Sequence, residues 1–173
     1  MPAGVLHEEV RTGGTLNERG GNGMAEITFK RTGGGNGNGS IPGELTIGAK
    51  TWPTIERGVA YTFVRKGEYT LKMDVKVTGR KVNCLRFDHE GIRTHLIHDA
   101  LNDSHLNLQG CIAPGTSFDI KGIQGSAAAM LEVFEALGGF VIGRTRTISI
   151  GNNIAGEESG EDWMKRRKDA GKY

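Results

Sequence analysis

Apolar and polar positions alternate with a period of two over much of the middle of this chain, and that alternation predicts strands. Residues 44–47, 52–56, 59–64 and 69–77 carry β-branched and aromatic side chains with partial alternation. Gly48, Gly58 and the pair Lys66-Gly67 punctuate them as turns. The same texture continues through 82–87 and 91–97. Residues 140–150 supply a late strand, with Arg144, Arg146, Ile148 and Ile150 on one face and Thr145, Thr147 and Ser149 on the other. One segment has helical spacing instead: from Ser126, a candidate cap, to about Leu137, Met130, Val133, Phe134 and Leu137 fall on one stripe, and Gly138-Gly139 stops it. The predicted class is mainly β, a β-rich α+β chain built as a small antiparallel sheet, sandwich or barrel with one covering helix.

The flanks read differently. Ten of the 28 glycines fall between Thr12 and Gly39, where few apolar side chains offset the entropy of ordering the backbone. Residues 1–42 are therefore expected to be a glycine-rich arm, flexible or bound to a partner, with a short strand at 25–30. Residues 43–151 form the β-rich core, and 152–173 form a charged tail. The tail runs from acids to bases, with Glu161 four residues before Lys165 and Asp162 four before Arg166, which suits a solvated helix aligned with its dipole. Its Trp163 and Met164 either pack on the core or dock on a neighbouring subunit.

Composition narrows the functional classes. In 173 residues, 22 basic against 20 acidic side chains give a net charge of +2, so no global field marks a nucleic-acid or membrane-surface binder. No run approaches the roughly 20 apolar residues of a membrane span, and no secretory signal stands at the N-terminus. Two cysteines, Cys84 and Cys111, are too few for a disulfide scaffold and are expected to be reduced. The glycine runs lack the Gly-Lys-Ser/Thr ending and preceding strand of a phosphate loop, so no cofactor is expected.

Candidate chemistry gathers around Cys111. Four of the five histidines, His89, His95, His98 and His105, lie just upstream of it. A nearby imidazole can generate the nucleophilic thiolate, and Gly110 lets the backbone approach a substrate and aim N–H groups at a developing oxyanion. On a regular strand His95 and His98, three apart, project to opposite faces, so one of them shares a cleft with Cys111. His98, at the strand end before a polar loop, is the preferred base, with His95 second and Asp103 or Asn107 as the group that orients the ring. The competing reading makes Cys111 a small buried filler at the turn set by Pro114-Gly115. His95, His98, Asp103, His105 and Cys111 also contain donors for tetrahedral zinc, but their spacing matches no zinc motif, and no metal is expected.

These residues bring a resemblance with them. Gly43-Glu44-Leu45, Thr54-Ile55-Glu56-Arg57, the turn Lys66-Gly67-Glu68-Tyr69, Leu96-Ile97-His98 and above all Leu108-Gln109-Gly110-Cys111-Ile112-Ala113-Pro114-Gly115 resemble a domain family of unknown function found in phages, prophages and their bacterial hosts. The likeness runs from about Gly43 to Ile150. A more distant one links the Cys111 block to L,D-transpeptidases, peptidoglycan enzymes with a Ser-His-Gly-Cys run, although Leu108-Gln109 stands here in place of Ser-His. The resemblance implies Cys111 as nucleophile and His98, or failing that His95, as base. It also implies a phage or phage-derived particle protein of the tail or baseplate, in virion or host cytoplasm. The arm and tail would contact other subunits, and the core would be directed at peptidoglycan. A stand-alone cysteine-dependent cell-wall enzyme and a purely structural subunit are the alternatives.

Overall fold

The computed structural model describes residues 25–33, 40–57, 63–77, 79–119 and 122–152. Within them the alternating segments become strands: β1 (Ile27–Arg31), β2 (Ser40–Ile47), β3 (Lys50–Arg57), β4 (Gly67–Lys76), β5 (Val82–Phe87), β6 (Leu96–Ile97), β7 (Ile112–Pro114) and, after a short hairpin of β8 (Ser117–Asp119) with β9 (Gly122–Gln124), β10 (Thr145–Ile150). Eight of these strands close a barrel in the order β1-β10-β4-β5-β6-β7-β3-β2. Neighbours are antiparallel except β1 with β10 and β6 with β7, which run parallel. The described residues are thus mainly β with one covering helix.

Every second side chain points inward, as the pleat requires. Phe29, Leu45, Trp52, Met73, Phe87, Ile97, Ile112 and Ile148 belong to one buried cluster, shared with Ala129, Met130, Val133 and Phe134 of helix α1 (Ser126–Ala136) and with Leu137 just after it. A closed barrel can be entered only at its ends, so α1 plugs one mouth with the stripe its spacing predicts. Trp52 Nε1 donates to Glu132 Oε2 at 2.8 Å and ties the helix to β3 there. The opposite mouth is closed by charge. Arg31 at the end of β1 and Glu56 near the end of β3, both buried, pair through Nε to Oε2 at 2.7 Å and Nη2 to Oε1 at 2.8 Å. The same guanidinium donates to the carbonyls of Val64 and Asn152, each at 2.9 Å.

A second apolar cluster lies on the outer side of the wall. Cys84, Leu96 and Ala113 alternate with the inward-facing Leu85, Ile97 and Ile112, and pack with Ile55, Ala100, Leu108, Cys111 and Ile123. Two 3₁₀ turns, Leu101–Asp103 and His105–Asn107, lie in the segment that runs from β6 to β7.

Several expectations are corrected. Residues 91–97 do not form one strand: 91–94 are a turn, the His95 N–H bonds the Ile92 carbonyl at 2.9 Å, and only Leu96–Ile97 pair. The late strand begins at Thr145 rather than 140, because 141–144 turn to bond Met73 of β4. Phe63 and Val64 are buried but not strand, and the rest of the 59–64 segment lies outside the described residues. The barrel also starts earlier than a boundary at 42/43, since β1, from within the glycine-rich stretch, pairs with both β2 and β10. Residues 1–24, 34–39 and the tail from 153 lie outside the described residues.

Ser126 does not cap its own helix. Its hydroxyl donates to the Pro114 carbonyl at 2.6 Å and accepts from the Ala100 N–H at 2.8 Å, while the Asp103 carboxylate accepts from the Gly125 and Ser126 N–H groups at 3.1 and 2.8 Å. A carboxylate at a helix N-terminus satisfies orphan donors and meets the positive end of the dipole. Asp103→Ala is expected to lower stability by about 1 kcal/mol, the usual worth of a cap, measured by thermal unfolding. An unchanged midpoint would show that the contact is incidental.

Candidate active site

The parallel pairing of β6 with β7 brings the histidines to the cysteine. Ile97 and Ile112 are register partners and both face the barrel interior, so His98 and Cys111, one residue away on either strand, face outward on the same side. The His98 N–H bonds the Ile112 carbonyl at 3.1 Å and locks the two segments together. Immediately before Cys111 the chain reverses at Gly110, whose φ of +79° lies in the region that a Cβ disfavours.

A cavity of about 560 Å³ opens over this surface, lined by Cys111, His98, His95, Gln109, Lys76 and Arg86 among others. That size suits a short peptide or a similar small ligand. The opposite-face argument for the two histidines fails here: both border the cavity with Cys111, because His95 belongs to a turn and not to the regular strand.

His98 is 3% exposed, and its Nδ1 lies 2.7 Å from the Asp99 carbonyl oxygen. A carbonyl only accepts, so Nδ1 carries the proton and the lone pair resides on Nε2, the tautomer a general base needs. Burial pushes the imidazole pKa below its usual 6.5, against the raising effect of the Asp99 carbonyl, so the ring is neutral at neutral pH. Asp99 is itself held by Arg80, whose Nη2 donates to Oδ2 at 2.6 Å. The ring is therefore oriented by the Asp99 backbone and not by the expected Asp103, which is occupied at the helix terminus. Asn107 borders the cavity, and its side-chain amide donates to the Leu101 carbonyl at 2.9 Å.

Cys111 is 6% exposed. Burial raises its thiol pKa above the ordinary 9.0, opposed by backbone groups of Leu96 and Gln109. The Lys76 charge also acts to lower it. Burial is the largest effect, so a neutral thiol and a neutral imidazole line the same cavity. Cys84 differs: it is fully buried, does not line this cavity, and its thiol is pushed up to about 11. In the folded protein Cys111 is thus expected to react with iodoacetamide at least tenfold faster than Cys84 at pH 8, read by peptide mass mapping. Equal, slow labelling of both would contradict an accessible sulfur.

Local sequence does not announce Lys76, Arg86 or the backbone role of Asp99. The first two come from β4 and β5, and only the barrel's closure brings them beside the Cys111 loop. Among the described residues no group of three or more His, Cys, Asp or Glu side chains is placed to hold a metal ion, and no helix is long and apolar enough to cross a membrane. No protein-family model, curated protein or solved structure matches the chain.

Proposed function

We propose that the barrel is a cysteine-dependent acyl-transfer domain directed at peptidoglycan peptide, carried by a tail or baseplate protein of a phage or phage-derived particle. The observation that carries the chemical part is the single cavity shared by Cys111 and His98, with the imidazole in the tautomer of a base. The particle part rests on the sequence resemblance and on the glycine-rich and charged stretches that precede and follow the core in sequence.

The chemistry runs through two half-reactions. The Cys111 sulfur attacks a peptide carbonyl carbon as its proton passes to His98 Nε2, and the carbonyl electrons move to oxygen. Collapse of the tetrahedral species breaks the C–N bond, the amine leaves with the proton from the imidazolium, and a thioester remains on Cys111. Water or a second amine then attacks the thioester, His98 again taking and returning a proton, to give hydrolysis or transpeptidation.

The test is product analysis of purified sacculi incubated with the full chain. Cleaved or newly joined stem peptides support the reading, and an unchanged muropeptide profile removes it. Because burial lowers the His98 pKa, the base is lost only below the ordinary imidazole range. Turnover should rise with pH along an acid limb centred below about 6.5 and then level. An acid limb centred above 7 would assign the proton to another group.

A structural subunit without catalysis is the second reading, favoured by the apolar packing of Cys111 among Ile55, Leu96 and Ala113. Particle assembly is tested by removing residues 1–24, which leaves β1 in place. A deletion through Ser40 would remove β1 and with it Arg31, so it would report on folding instead. Normal incorporation of the 1–24 deletion would remove the assembly role of that segment.

A further inference from the structure

The cavity over Cys111 has a one-sided charge. Lys76 at the end of β4 and Arg86 on β5 border it, together with His95 and His98, and among the described residues no aspartate or glutamate does. The cations nearby are not equivalent. Arg86 Nε donates to Asp74 Oδ2 at 2.6 Å, and Arg80 is paired with Asp99 at the same distance. Lys76 forms no ion pair and no side-chain hydrogen bond among the described residues. It is half-buried, and its charge acts on both catalytic candidates, lowering the pKa of Cys111 and of His98. An ammonium with no counter-ion at the wall of a partly desolvated cavity meets little competition from protein acids for an anionic ligand.

From this we infer that the cavity selects peptides carrying a free carboxylate, which Lys76 binds directly; Arg86, opposite Lys72 in the strand register and paired with Asp74, is not that group. The inference rests on the peptide-directed reading above and narrows it to a substrate class: acyl donors or acceptors with a carboxylate next to the bond that Cys111 attacks. The amide side chains of Asn107 and Gln109 on the same wall supply hydrogen-bonding groups for the peptide link itself. Two kinds of carboxylate in a stem peptide share this chemistry, the one at its C-terminus and those along its length. Amidating each separately distinguishes them.

The experiment is calorimetric titration of the full-length Cys111→Ala protein, in which turnover is absent. The probes are a stem tetrapeptide ending in D-alanine, its C-terminal carboxamide, and a form with only the internal carboxylates amidated. Lys76→Gln should weaken binding of the free tetrapeptide about tenfold or more, Lys76→Arg should restore most of it, and one amidated form should show the same loss. In that form Lys76→Gln should cost nothing further, because the two changes remove one interaction. Losses that multiply, an affinity indifferent to Lys76→Gln, or no binding of any probe would each overturn the inference. Binding that depends on Lys76 in a protein whose wild type turns over nothing would sink the cysteine chemistry alone. Turnover indifferent to Lys76→Gln would sink this inference alone.

Discussion

Cys111→Ala is expected to abolish muropeptide turnover, by roughly 10³-fold or more, while leaving the barrel folded. The nucleophile has no substitute in the cavity, since Cys84 packs on the same outer cluster but does not border the opening. The structural cost should be small, about 1 kcal/mol, because shortening the side chain to a methyl removes a single buried sulfur. Cys84→Ala carries a comparable packing cost without loss of activity, so the two variants separate chemistry from stability. His98→Gln belongs beside them: an amide can still donate to the Asp99 carbonyl but cannot take the thiol proton, and a loss of about 10²–10⁴-fold follows. Turnover that survives Cys111→Ala would leave the cavity without its proposed role.

The largest effect on stability is expected at the Arg31–Glu56 pair. Glu56 is fully buried, and Arg31 is nearly so, stacked 5.2 Å from the Phe29 ring centroid and 5.7 Å from that of Phe63. The pair joins β1 to β3, and the Arg31 guanidinium also holds the carbonyls of Val64 and Asn152. Removing one partner strands a charge in the interior, so Arg31→Met or Glu56→Gln should each cost about 3–5 kcal/mol in denaturant unfolding. Against a typical total of about 5–15 kcal/mol, that is enough to unfold much of the protein at physiological temperature. Arg31→Met combined with Glu56→Leu should recover much of the loss, since neither charge is then left alone. Single variants costing under about 1 kcal/mol would show that water reaches the pair. The site shares this seam, because Glu56 is the register partner of Ile112, the residue after Cys111.

The sequence carried the parts of the fold that depend on local alternation. Residues 82–87 become β5 with unchanged bounds, and the stripe from Met130 to Leu137 is the buried face of α1. Contacts between distant segments left no local trace. Nothing around Ile27 shows that it pairs in parallel with β10, or that Asp103 reaches Gly125 to cap a helix 22 residues ahead. Strands of two or three residues, such as β6, β8 and β9, are too short to display a period, which is why the turn at 91–94 read as strand. The site was half legible. Clustered histidines before a glycine-flanked cysteine single out His98 and Cys111 because they are close in sequence, whereas Lys76 and Arg86 reach the cavity only through strand pairing.

The thioester offers the most direct view of the chemistry. Full-length protein, acid-quenched during incubation with stem tetrapeptide and measured by intact mass, should carry an acyl adduct that peptide mapping assigns to Cys111 and that His98→Gln suppresses. An unmodified mass throughout turnover, or an adduct that forms equally well without the His98 imidazole, would contradict the Cys111–His98 pair as the working centre of this barrel.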